Sequence, residues 1–148
     1  MAPHDHDIDV LNSLIAATLD NVHRYDQAQM GADNPQVKQL FARRVIERRL
    51  VTVELQTKVR RLLGSKDSET VAVPDMSSPF GSTLTAANRQ SDRHLVDQIE
   101  AGEVELRLRY SNALADSTLS GPVRNLAQRA YELIKIGHGE MLNLRRLI

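Results

Sequence analysis

"GSKDSETVAVPDMSSPFGS", residues 64 to 82, is the stretch on which the fold turns. It is rich in Ser, Gly and Pro and sustains neither a helical nor an alternating apolar period, so it reads as a connection. Upstream, Leu11, Leu14, Ile15, Val22 and Tyr25 recur at helical spacing, which predicts a first helix from near Ile8 with Asp7 or Asp9 as its cap. "GADNP" at 31 to 35 ends it. Pro35 suits the first turn of a second helix, whose apolar positions Val37, Leu40, Phe41, Val51, Leu55, Val59 and Leu62 keep the period down to Gly64. Downstream, "STLTAANRQSD" holds Leu84, Asn88, Ser91 and Leu95 in register with a third helix, which begins as early as Thr83 and ends near Ala115. A fourth opens after "LSGP", with Pro122 in its first turn, and carries Val123, Leu126, Ala130, Ile134, Met141 and Leu142 towards Ile148.

Helices of this length span about 35 to 40 Å, and roughly 18 extended residues reach farther than that. The connection at 64–82 is therefore long enough to cross a whole bundle, whereas ordinary bundle loops are far shorter. Two hairpins joined by one long crossover make a ferritin-like antiparallel four-helix bundle, all-α, with the crossover between helices 2 and 3. At 148 residues the chain is the size of one domain, 1–148.

Composition narrows the function. Nineteen basic and nineteen acidic residues cancel, and no long block of one sign offers a footprint for nucleic acid or anionic lipid. No apolar run approaches membrane-spanning length, and "MAPHDHDID" lacks the basic start and apolar run of a signal peptide, which points to a cytoplasmic protein. With no cysteine, the chain has no disulfides, thiolate metal sites or cysteine nucleophiles, so any metal falls to Asp, Glu, His or Tyr.

Turning each helix by about 100° per residue sorts the polar side chains by direction. In "QIEAGEVELRLRY", residues 98 to 110, Glu103 falls in line with Leu95, Ile99, Leu106 and Tyr110, and Glu100 and Arg107 flank the apolar arc. His138 falls beside Ile134 and Met141, with Tyr131 two turns before it. Arg44 and Arg48 lie inside the second stripe, with Glu47 and Glu54 at its edge. The first helix adds Tyr25, while Asp20 points away. A lone buried carboxylate costs several kcal/mol, so Glu103 must meet a cation, a proton or several donors. One solution is a buried polar network of Glu103, His138, Arg48, Tyr110, Tyr131 and Tyr25. The other is a divalent metal, iron, manganese or zinc, on Glu103, His138 and Glu47 or Glu54, with Glu100 as a further ligand. Ferritin-like di-iron sites use a Glu-x-x-His pair on each of two helices. This chain has none; its nearest relative is "DNVH", Asp20 to His23. Arg44 and Arg48 also put positive charge where the ions would sit.

"LNSLIAATLDNVHRY", "VELQTKVRRLLG", "EAGE", "YSNAL" and "GHGEMLNLR" together resemble the successive motifs of a bacterial ferritin-like four-helix-bundle family, a domain of unknown function distantly akin to rubrerythrin and bacterioferritin. The resemblance covers nearly the whole chain. It implies the fold and a family pattern on Asp20, Tyr25, Glu54, Glu103, Tyr110 and His138, and it implies no established reaction. The chain departs from that pattern at Asn88, where the family has a histidine.

Weaker motifs add little. "HDHD" at 4 to 7 reads as a solvated terminus, and "FARRVIERR" as a solvated basic face interrupted by Glu47. The expectation is a non-catalytic, homodimeric bundle of structural or stress-associated role. The alternatives are a metal-binding oxidoreductase or iron-handling protein, and a partner-binding helical module acting through exposed Val104 and Leu108.

Overall fold

The structure is a computed structural model and describes residues 4–64 and 91–148. It contains four helices, α1 (Asp5–Gly31), α2 (Pro35–Leu63), α3 (Asp92–Leu114) and α4 (Gly121–Leu147), and no strand among the described residues. The connection expected at 64–82 and the early start of the third helix at Thr83 fall, apart from Gly64, outside the described residues. Where the description resumes, Ser91 is extended and its hydroxyl accepts the His94 amide, so α3 starts at Asp92.

Local chemistry sets the other ends. Asn34 caps α2 by accepting the Gln36 amide at 2.8 Å, with Pro35 in the first turn. Gly64 closes it at φ +92°, in the left-handed region, with its amide on the Arg60 carbonyl. The α1 cap differs from expectation: helix begins at Asp5 behind His4, and Asp7 is inside it and buried. Its carboxylate reaches across the bundle to accept the Ser120 amide at the head of α4, 3.1 Å away. That position favours an anion, because the first amides of a helix have no partner within it.

α1 packs against α2 and α3, and α4 against α3 and α2. His6 at the start of α1 meets Asp116 just beyond α3, and the Asp33 and Asn34 amides just beyond α1 both donate to Asp92 at the start of α3. Leu62 and Leu63 at the end of α2 pack on the same core cluster as Ile8, a cluster that includes Leu119.

Among the described residues two apolar clusters fill the interior. One gathers Leu11, Leu14, Val51, Leu55, Leu106 and Ile134 with their neighbours; the other gathers Val22, Phe41, Val45, Ile99 and Met141. On every helix the changeover between clusters falls at a polar or glycine position: Asn21, Arg48, Glu103, and Gly137 with His138. A polar layer thus cuts the core in two.

Candidate functional site

Glu103 lies in that layer with no solvent exposure, as does Arg48. The two form a bidentate pair: Arg48 Nη1 donates to Oε1 at 2.7 Å and Nη2 to Oε2 at 2.8 Å. The parallel fork is the strong form of this contact. Asn21 locks the pair from α1, its Nδ2 donating to Glu103 Oε1 at 3.0 Å and its Oδ1 accepting from Arg48 Nη1 at 2.6 Å. Burial by itself would raise the Glu103 carboxyl and lower the Arg48 guanidinium; their mutual hydrogen bonds and charge reverse both, so Glu103 is held below and Arg48 above its usual value.

Arg44, one turn before Arg48, is also fully buried. Nη1 donates to both Glu47 oxygens at 3.1 Å, and Nη2 to Glu140 at 2.8 Å. Two guanidinium groups fit side by side because α4 presents Gly137 to them: a Cβ there would lie 2.7 Å from Arg48 Nη2 and 2.9 Å from Arg44 Cζ. The expected solvated face of "FARRVIERR" is therefore corrected, since two of its arginines are interior.

His138 is buried nearby but takes its hydrogen-bond partners from residues other than Glu103. Its Nδ1 is 3.1 Å from Arg107 Nη1 and its Nε2 3.3 Å from Glu100. Arginine can only donate, so Nδ1 accepts and Nε2 carries the proton facing Glu100. Tyr25 lies beneath Arg48, 5.7 Å from guanidinium carbon to ring centre, and edge-on to Phe41. Burial first, then the Glu103 charge, pushes its hydroxyl well above the tyrosine range, and that hydroxyl finds no well-formed hydrogen bond among the described residues.

The remaining tyrosines stand apart. Thr18 donates to the Leu14 carbonyl, so the Tyr110 hydroxyl, 2.8 Å away, donates to Thr18; its pKa is pushed up by burial to about 12. Tyr131 does not join the layer: it is half-buried, packs against the Leu11–Ile134 cluster and carries Lys135 over its ring at 5.2 Å.

The four residues considered as metal ligands are not drawn together. Glu54 is exposed and lines a groove between α2 and α4, Glu100 faces His138, and Glu103 faces Arg48. Among the described residues no three His, Asp or Glu side chains converge as a metal centre requires. An ion would have to displace Arg48 from Glu103 and Arg107 from the His138 lone pair. Chemically, the layer as arranged holds charges in place. A groove of about 280 Å³ between α1 and α3 reaches the layer at Asn21 and is also lined by Gly102, Arg24 and Arg109.

Asn21 escaped the sequence reading although it continues the stripe Leu14, Thr18, Tyr25, Ala28, all buried. The acidic neighbour Asp20, exposed and paired with Arg24, drew attention instead. Gly137 carried no signal, since its role is to leave room.

A family model, the domain of unknown function DUF2383, matches residues 6–116. The chain belongs to the DUF2383 family. The DUF2383 match takes in Asn21, Arg48 and Glu103 and stops short of Gly137 and His138. No curated protein and no solved structure matches the chain.

Proposed function

We propose that this protein is a non-catalytic, ferritin-like four-helix bundle whose buried polar layer sets how the helices align. The observation that carries this reading is the pairing of both Glu103 oxygens with Arg48, with Asn21 across the two, which leaves the interior carboxylate satisfied by the chain itself. A buried ion pair of this kind adds little net stability over apolar packing, but breaking one partner away is costly, which penalises any misaligned packing. The ferritin-like topology is supported by the ends of the helices. Leu63 packs on the same core cluster as Ile8 and Leu119, while Asp92 accepts the Asp33 and Asn34 amides, which supports a connection from α2 to α3 between opposite ends of the bundle. The same reading makes the protein a cytoplasmic homodimer, in keeping with a cysteine-free chain.

The test is elemental analysis of protein purified under low oxygen, together with thermal melts of Glu103→Gln and His138→Ala. Melting temperatures lowered in both variants, with no stoichiometric metal in the wild type, is the expected result. Stoichiometric iron or manganese that disappears from both variants overturns the proposal in favour of a metal-binding oxidoreductase or iron-handling protein.

A further inference from the structure

The groove that Glu54 lines, of about 690 Å³ between α2 and α4, has a charged end and an aliphatic end. Arg43 meets Glu140, and further along α2 the groove from Val53 to Arg61 is closed on α4 by residues 122–133, so the two helices run antiparallel. Counting equal steps in opposite directions from that ion pair puts Val53 level with Ala130. Arg61 falls level with Pro122, where α4 begins, about 12 Å away at 1.5 Å per residue. Lys58 and Arg61 therefore stand towards the head of α4, and Val53, Ala130 and Leu133 wall the opposite end, with Leu126 and Arg129 between.

The charges of this groove are unbalanced. Lys58, Arg61 and Arg129 take part in no ion pair among the described residues, and Glu132 is engaged by Lys135, which leaves Glu54 as the uncommitted carboxylate beside three cations. The neighbouring stretch differs, because there Arg43 and Arg44 are matched by Glu47 and Glu140. Uncommitted cations at one end and aliphatic walls at the other suit a ligand of the same polarity.

We propose that this groove binds a single-chain amphipathic carboxylate of the fatty-acid class, its head between Lys58 and Arg61 and its alkyl chain running towards Val53 and Leu133. A compact anion would use the cations and leave the aliphatic walls in water. A peptide laid in the same slot would bring backbone amides that aliphatic walls cannot satisfy, whereas an alkyl chain brings none.

The test titrates the full chain calorimetrically with decanoate, hexanoate and inorganic phosphate, in wild type, Lys58→Ala with Arg61→Ala, Leu133→Asp and Arg109→Ala. Decanoate is expected to bind saturably, and hexanoate, four methylenes shorter, about a hundredfold more weakly. Loss of Lys58 and Arg61 weakens decanoate about tenfold and blunts its sensitivity to added salt. Leu133→Asp weakens it at least as much from the other end, and Arg109→Ala, in the groove between α1 and α3, leaves it unchanged. None of the substituted side chains is buried, so helical circular dichroism is expected to match wild type throughout. Absence of saturable decanoate binding overturns the proposal, and so does phosphate binding as tightly as decanoate, the mark of a bare anion site. Decanoate binding indifferent to both the double variant and Leu133→Asp overturns this groove as its place.

Discussion

Gly137 is the gap into which Arg48 fits: a Cβ at residue 137 would stand 2.7 Å from Arg48 Nη2, closer than such atoms approach. The guanidinium cannot swing aside, because both of its terminal nitrogens are committed to Glu103 and one also to Asn21. Gly137→Ala is therefore expected to destabilise the fold by about 1–3 kcal/mol through overpacking, despite alanine's better helix propensity. Gly139, two residues on, has nothing within 4 Å of its would-be Cβ. Gly139→Ala should stabilise by up to about 1 kcal/mol. Urea unfolding of the two variants side by side measures the contrast, and equal shifts would contradict the packing argument.

Truncating either partner of the central pair strands a charge in the interior. Arg48→Met or Glu103→Gln should each cost about 3–5 kcal/mol, while Arg48→Met with Glu103→Leu should recover most of the loss. The double-mutant cycle gives the coupling directly. Additive single losses would mean that the two residues act independently.

How much of this pair the sequence disclosed follows from helical periodicity. Glu103 and Arg48 each interrupt an otherwise apolar stripe, so their burial was legible from rotation about one helix axis. Which side chain meets which was not, because that depends on how far one helix slides along another. Hence His138, correctly placed near Met141 on its own helix, turned out to answer Arg107 and Glu100 from α3 and not Glu103. Tyr131 sits at the edge of the α4 stripe, where a small rotation decides between core and surface, and it ends half-buried on the rim of the Leu11–Ile134 cluster. Glu140 is polar and near the chain's end, with nothing local to show that it closes over Arg44.

Acid should act on the polar layer through Glu103. Glu103 is held below its ordinary 4.5, so its contribution is complete above that value. As pH falls below it, the unfolded chain takes up a proton that the folded chain refuses, and stability drains through the folded-state value. Glu103→Gln should flatten this part of the stability profile, read from urea midpoints between neutral and strongly acid pH. An unchanged slope would count against a buried ionised Glu103.

The alkaline side is governed by tyrosine. Tyr110 keeps its proton to about 12 when folded, against an ordinary 10.0. Between those values the unfolded chain has released a proton that the folded chain retains, so stability falls as pH rises across the window. Tyr110→Phe should remove part of that slope and also lose the hydrogen bond to Thr18, worth about 1 kcal/mol at neutral pH. The difference in tyrosinate absorbance between wild type and Tyr110→Phe during the titration reports the folded-state value.

Asp7 ties the start of α1 to the head of α4, and Ser120 has no side-chain cap of its own there. Asp7→Ala should lower stability by about 1–2 kcal/mol by leaving the Ser120 amide without its acceptor. Hydrogen exchange should quicken first in the opening turn of α4. A loss spread evenly over all four helices would show that Asp7 supports the fold as a whole and not that end.

The division of the interior by Asn21, Arg48, Glu103 and Gly137 bears on how such a chain can vary. The two apolar clusters share no side chain, so an exchange of leucine for isoleucine or methionine in one is answered within that cluster and adds independently to changes in the other. The four residues between them have no such freedom. A change at one alters the fit of the rest, so they are expected to be replaced as a set or to persist together, while the aliphatic residues on either side drift.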